Sequence, residues 1–171
     1  MSKKNIVIMG VCGSGKTSVG LAIAEKLGCR FLDGDDLHPR ANIIKMGEGH
    51  PLNDEDRQPW LERISDVFFS LSRRSENAVI VCSALKKKYR DVLRNGNDLI
   101  FVHLVGDYDT ILNRMKKRQG HYMKENMVKS QFDTLEMPGA DEKDVIAIDI
   151  TPPLDVVIAR AVSAVEAAMR D

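Results

Sequence analysis

The chain of 171 residues is short of cysteine, carries no excess of either charge and contains no long hydrophobic run; each of these shortages closes off a class of protein. Its three cysteines, Cys12, Cys29 and Cys82, are odd in number and share no CxxC spacing, which argues against a disulfide framework. Two of them sit in or beside apolar runs, where a thiol behaves as a small hydrophobe, and this fits a reducing compartment. Lysine plus arginine is 25 and aspartate plus glutamate is 25. Nucleic-acid binders carry strongly basic domains, and disordered tails combine high net charge with low hydrophobicity; balanced charge with 43% hydrophobic residues fits neither. After Lys3 and Lys4 the apolar run Ile6–Met9 is far shorter than the roughly 7–15 residues of a secretory core or the roughly 20 of a membrane span. Ala78–Cys82, the longest such run, is also too short. The expectation is a soluble cytoplasmic protein without nucleic-acid or membrane partners, forming one domain over 1–171.

What the chain does have is alternation. Ile6–Met9, Val79–Cys82, Leu99–Val105 and Val145–Ile150 are short, rich in β-branched residues and bounded by polar or turn residues, so they read as strands, with Phe31–Leu32 as a fifth. Helical stripes lie between them. Val19, Ile23 and Leu27 end at Gly28; Trp60, Ile64, Phe68 and Leu71 follow Pro59, which suits a first helical turn. Tyr108, Ile111, Leu112 and Met115 form a third stripe, and Ile158, Val162, Val165 and Met169 a fourth. The pattern predicts an α/β fold with a mostly parallel sheet covered on both faces. Gly34–Asp56 and Gln119–Pro138 interrupt it with polar, turn-rich sequence, as lids and binding loops do.

Gly10-Val11-Cys12-Gly13-Ser14-Gly15-Lys16-Thr17 fits G-x-x-x-x-G-K-[ST] and follows a strand and opens a helix, as a phosphate-binding loop requires. Glycines let backbone N–H groups approach phosphate oxygens, and the helix from about Lys16 directs its positive end at the same anion. Lys16 reaches the β- and γ-phosphates and the Thr17 hydroxyl ligates Mg²⁺. No Asn-Lys-x-Asp is present to read guanine. The run Val79–Cys82 continues into Ser83-Ala84-Leu85-Lys86 without an acid, so the second metal partner is sought in Asp33-Gly34-Asp35-Asp36. Asp33 and Asp35 alternate by two and would share a side of an extended chain, one holding hydrated Mg²⁺ and the other accepting a proton from a hydroxyl. The plainer alternative is a turn with Asp36 as helix N-cap.

Asp33-Gly-Asp-Asp-Leu-His38-Pro-Arg-Ala-Asn42-Ile-Ile-Lys45-Met46, then Gly49-His-Pro51 through Asp56-Arg57-Gln-Pro59-Trp60-Leu, resembles the gluconokinase family. So do Cys82-Ser-Ala-Leu-Lys86-Lys-Lys-Tyr89-Arg90-Asp91, Arg118-Gln-Gly-His121-Tyr-Met123 and Ser130-Gln-Phe132. The resemblance implies a nucleoside-monophosphate-kinase-like P-loop fold of three layers, with a five-stranded parallel sheet and a lid. It also implies ATP and Mg²⁺ as co-substrates, phosphorylation of D-gluconate at its 6-hydroxyl in gluconate catabolism, and a homodimer. The substrate segment is then about 34–60 and the lid about 119–138.

In this reading Gly10, Val11, Cys12, Gly13, Ser14, Gly15, Lys16, Thr17 and Ser18 hold the nucleotide with the lid arginines Arg114 and Arg118. Thr17 and Asp33 serve the metal, Asp35 is the base, and Lys16 and Arg118 offset phosphoryl charge. Gluconate is a short polyol ending in a carboxylate, so one end needs a cation. Arg57, Lys86 and Arg90 are the candidates; the planar fork of arginine favours Arg57 with Lys86 in support. Arg90 follows Lys86 by four residues and would share its helical face, and His38 and Asn42 have the same spacing along the polyol. His121 would help close the lid.

Overall fold

The computed structural model describes residues 3–119 and 123–170, with the side chains of residues 118, 119, 123 and 124 outside that description. Strands β1 (Asn5–Met9), β2 (Arg30–Asp33), β3 (Ala78–Val81), β4 (Leu99–Val105) and β5 (Val145–Asp149) form one sheet in the order β2-β3-β1-β4-β5. Every pairing is parallel. Helices α1 (Lys16–Leu27), α2 (Arg40–Gly47), α3 (Asp54–Arg73), α4 (Lys87–Arg94), α5 (Tyr108–Gln119), α6 (Met123–Thr134) and α7 (Leu154–Arg170) account for most of the rest. Among the described residues, no helix is long and apolar enough to cross a membrane.

Period-two alternation on β1 explains the layers. Ile6 and Ile8 face one core with Val19 and Ile23 of α1, Ile111 and Met115 of α5, and Val157 and Val165 of α7. Val7 and Met9 face a second core with Trp60, Ile64 and Phe68 of α3 and Leu93 of α4. A strand buried on both faces reads as an unbroken apolar run, and β1 does so after Asn5. Because β1 lies between β3 and β4, the chain leaves it toward opposite sheet edges, which opens a crevice above the strands' carboxyl ends.

All five strands fall within two residues of their expected bounds. The two interruptions are more ordered than their sequence suggests. Gly34–Leu37 is a 3-10 turn, α2 follows it, and α6 occupies much of 119–138. Helix α3 begins at Asp54 rather than at Pro59, because Asn53 and Asp56 form a capping box: Asn53 Oδ1 accepts from the Asp56 N–H at 2.8 Å and the Asp56 carboxylate from the Asn53 N–H at 2.9 Å. Pro59 therefore lies inside the helix. On α7 the fully buried stripe is Val157, Ala161 and Val165, while Ile158, Val162 and Met169 flank it.

Gly34 closes the crevice wall. A Cβ there would lie 2.4 Å from the Val81 carbonyl oxygen, and the Gly34 carbonyl itself accepts from Trp60 Nε1 at 2.8 Å. Backbone blocks the added methyl, so Gly34→Ala should destabilise the protein by about 1–3 kcal/mol, the range for overpacking. Denaturant unfolding checks this; an unchanged midpoint would show that β2 can shift away from β3 at no cost.

Candidate active site

At the end of β1 the chain turns through Gly10 (φ 145°), Gly13 (φ 78°) and Gly15 (φ 94°), conformations that disfavour side chains. Gly10 is also confined: its Cβ would sit 2.9 Å from the Leu104 carbonyl oxygen, and its N–H donates to the Ser83 carbonyl at 3.2 Å. The loop is thus wedged between the ends of β3 and β4. Helix α1 starts at Lys16 behind Gly15, with no side chain capping it, so its first-turn N–H groups are left for an external acceptor. The Ser14 hydroxyl is buried without a hydrogen-bond partner among the described residues. Lys16 Nζ donates to the Gly10 and Val11 carbonyls at 3.1 and 2.9 Å. Burial lowers its pKa, opposed by negative groups that include Asp35 and Asp33. An uncapped helix start, an orphaned hydroxyl and a loop too tight for Cβ atoms fit the phosphates of a nucleotide.

The donor set for a metal is small. Thr17 is exposed in the first turn of α1 and Asp33 ends β2, and no group of three or more His, Cys, Asp or Glu is gathered among the described residues. Two oxygen donors beside a phosphate cradle suit Mg²⁺, which keeps most of its waters and leans on substrate phosphates.

The acidic run differs from expectation in its geometry. The chain stops being extended at Gly34, so Asp33 and Asp35 do not alternate on a strand; Asp33, not Asp36, caps the 3-10 turn, its carboxylate accepting from the Asp35 N–H at 3.0 Å. The turn still gathers the charges. Loss of water and then the Asp33 charge raise the Asp35 pKa, while His38 and Lys16 pull it the other way.

His38 is buried and stacks on Trp60, with ring centroids 4.2 Å apart. Asn42 Nδ2 lies 3.2 Å from His38 Nδ1 and donates to the Asp56 carbonyl at 2.8 Å. An amide nitrogen donates, so Nδ1 accepts and the ring proton belongs on Nε2. Burial holds the His38 pKa below its ordinary value.

The basic residues separate into three environments. Lys86 pairs with Asp54 at 3.3 Å, and Lys88 and the Tyr89 hydroxyl bond to the same carboxylate. These donors, Lys88 foremost, hold Asp54 well below the usual carboxylate range. Arg57 Nη1 donates to Tyr89 Oη at 3.2 Å and its guanidinium lies over the Tyr89 ring, 5.6 Å from the centroid, but it forms no ion pair among the described residues. It borders a cavity of about 170 Å³ that also includes Trp60, Ser83, Tyr89, Met127 and Gln131. A wider concavity of about 720 Å³ between α3 and α4 has no phosphate loop at its edge.

Arg90 is a correction. It is fully buried, with Nε and Nη2 on Glu142 at 2.8 and 3.0 Å, Nη1 on the Ala84 carbonyl at 2.8 Å and Nη2 also on the Glu136 carbonyl at 3.0 Å. Lys86 precedes the helix in extended conformation (φ −107°, ψ 145°), so a spacing of four does not put the two on one face. Arg90 anchors α4 to the loop after α6, and its bonds go to Glu142 and two backbone carbonyls rather than to the cavity that Arg57 borders. It draws the Glu142 carboxyl down to about 2, and with burial, the larger cause, it pushes His103 down to about 4. Arg114 Nη2 donates to the Ile150 carbonyl at 2.6 Å, bringing α5 onto the loop before α7. The Arg118 side chain and His121 lie outside the described residues. Sequence reasoning assigned no role to Asp54, Tyr89 or Gln131. All three stood within the runs that carry the resemblance, but which atoms they touch depends on the fold.

A phosphate loop at the switch point of a parallel sheet, facing an acidic turn and a small polar cavity, defines a P-loop kinase of small molecules, an enzyme that uses ATP. The family model described as "Shikimate kinase" matches residues 12–158. The chain is 52% identical over 161 residues to the thermoresistant gluconokinase of Escherichia coli K12, covering 94% of this chain and 92% of that protein. It is 54% identical over 151 residues to the thermosensitive gluconokinase of the same strain, covering 88% and 81%. A solved gluconokinase from Sinorhizobium meliloti 1021 superposes with a TM-score of 0.87 at 43% identity, covering 99% of this chain and 95% of that one. The chain belongs to the gluconokinase family, within the wider shikimate-kinase-like group of P-loop kinases.

Removing one partner of a buried ion pair costs about 3–5 kcal/mol. Arg90→Ala should therefore lower the unfolding free energy by that order, while the folded fraction keeps its KM values. Chemical unfolding alongside initial rates tests this; a raised acceptor KM at unchanged stability would return Arg90 to the pocket.

Proposed function

We propose that the protein transfers the γ-phosphoryl group of ATP to the 6-hydroxyl of D-gluconate, giving 6-phospho-D-gluconate and ADP. The observation that carries this reading is Arg57: a guanidinium without a carboxylate partner among the described residues, at the wall of a small cavity beside the phosphate loop. An acceptor with a carboxylate at one end and a hydroxyl at the other would span from Arg57 to the loop. Lys86 supports from behind Tyr89, and His38 and Asn42 supply polar edges along the polyol. The substrate segment is about 34–60, and the 119–138 segment acts as lid.

Asp35 accepts the proton of the 6-hydroxyl as its oxygen attacks phosphorus, and the bond from phosphorus to the bridging oxygen breaks as ADP leaves. Lys16 offsets charge on the transferring group, the backbone of Gly10–Ser18 holds the phosphates, and Arg114 steadies the nucleotide side. Arg118 and His121 take lid roles on the family pattern. Thr17 and Asp33 would hold Mg²⁺, which when bound neutralises phosphate charge. The same reading makes the protein a cytoplasmic homodimer without nucleic-acid or membrane partners; its balanced charge supports the first of these exclusions.

Release of ADP from Mg-ATP with and without D-gluconate tests the assignment, with shikimate and AMP as competitors for the role of acceptor. Stimulation by gluconate, with 6-phosphogluconate as product, is expected; turnover with shikimate or AMP in its place would overturn it. Arg57→Met should raise the gluconate KM by about 10–100-fold, as loss of a hydrogen bond to a charged group implies, and leave the ATP KM nearly unchanged. A proportionate rise in both would remove Arg57 from the acceptor end.

Asp35→Asn should lower kcat by about 10²–10⁴-fold, the usual worth of a positioned base. The base works only when ionised, so its raised pKa puts the acid limb of kcat/KM above the ordinary aspartate value of 3.8. An acid limb unmoved by the substitution would exclude Asp35 as the base.

A further inference from the structure

Phosphoryl transfer needs two bound groups in register, and one side chain bridges their sites. The Cys12 N–H, in the phosphate loop, donates to Gln131 Oε1 at 2.6 Å. Gln131 is carried by α6 and also lines the cavity with Arg57, Trp60 and Tyr89. This loop amide is therefore engaged by a side chain that also lines the acceptor cavity. With Oε1 committed to the loop, the amide has a fixed sense, and what it can offer to the cavity is Nε2 with two donors.

The far end of the same segment is fastened as well. The Glu136 N–H donates to the Leu85 carbonyl at 2.7 Å, Glu136 Oε1 accepts from the Lys87 N–H at 2.9 Å, and Arg90 holds the Glu136 carbonyl. Residues 131–136 thus tie the phosphate loop to the start of α4, the helix that bears Tyr89 and follows Lys86.

We propose that Gln131 is a substrate-positioning residue that sets the register between the phosphate loop and the acceptor. Its Oε1 is held by Cys12, and its Nε2 donates to the hydroxyl oxygen whose proton passes to Asp35. That oxygen has lone pairs to spare: one accepts from Gln131 and another forms the bond to phosphorus. The proposal rests on the gluconate reading above and adds to it the residue that aligns the reacting oxygen.

The test is Gln131→Met, which keeps the length of the side chain and removes both hydrogen bonds. The measurements are thermal midpoint, ATP Kd without acceptor, kcat and KM for gluconate, and the ratio of ADP released to 6-phosphogluconate formed. Misplacing a reacting group by about 1 Å costs roughly 10²-fold in rate, so kcat should fall by that order while ATP Kd stays within about threefold. ADP release should also exceed product formation, because an unaligned acceptor leaves water to compete. An unchanged kcat with matched ADP and product overturns the proposal. So does a loss of kcat accompanied by an equal loss of ATP binding, which would make Gln131 only a prop for the loop. If the Met variant does not fold, Gln131→Glu is read in the same way, since it keeps an acceptor for Cys12 but no Nε2. The wild-type control separates the two readings: active wild type with an equally active variant defeats the role of Gln131 alone, whereas wild type inert toward gluconate defeats the acceptor assignment and this proposal with it.

Discussion

Burial of the central strand on both faces is the constraint from which the rest follows. A strand covered by two apolar cores has no side chain to spare for chemistry, so β1 acts through what it delivers at its carboxyl end: backbone amides presented by a loop of glycines. The neighbouring strands contribute at the same level. β2 ends in Asp33, β3 leads to Ser83, and β4 supplies the Leu104 carbonyl that limits Gly10. Two cores that pin five strands thus align groups scattered along the sequence to within packing tolerance.

Burial also sorts the cations. Arg57, Lys86, Lys88 and Arg90 lie within 34 residues of one another and carry the same charge, yet among the described residues only Arg57 forms no ion pair. Arg90 is spent on Glu142 and two carbonyls; Lys86 and Lys88 share Asp54. Desolvating a guanidinium is costly unless its donors are met, and Arg90 places four of its five N–H groups, one on the Ala84 carbonyl and three on residues 136 and 142. The same residues lock the loop that returns from α6, so the anchor of one helix is also the footing of the segment that bears Gln131.

Much of this was legible in the sequence because it rests on short-range patterns. Short β-branched apolar runs placed the strands within two residues, and the spacing of the glycines before Lys16 located the phosphate loop. Helix α2 left no stripe to read, since Asn42 is its one buried residue. Asn53 and Asp56 had the spacing of a capping box, but a polar run around them looked like loop. The fate of Arg90 was out of reach for a physical reason: a spacing of four has meaning only when both residues are helical, and Lys86 is not. The acidic turn shows the opposite outcome, where the alternation argument fails at Gly34 and the carboxylates of Asp33 and Asp35 are nevertheless brought together by a cap.

The contrast between buried and exposed charge has a bearing on how the protein responds to its ionic surroundings. The Arg90–Glu142 pair is 0% and 3% exposed, whereas Lys129–Asp133 on α6 is 70% and 68% exposed. Dissolved ions screen charges across water over about 8 Å at physiological strength and hardly act on a pair sealed from it. Arg57, half-buried at the cavity wall, is reached through solvent and the anchor is not. Rising salt therefore loosens the grip on anionic ligands while the α4 anchor keeps its strength, and the protein in brine loses its appetite before it loses its shape.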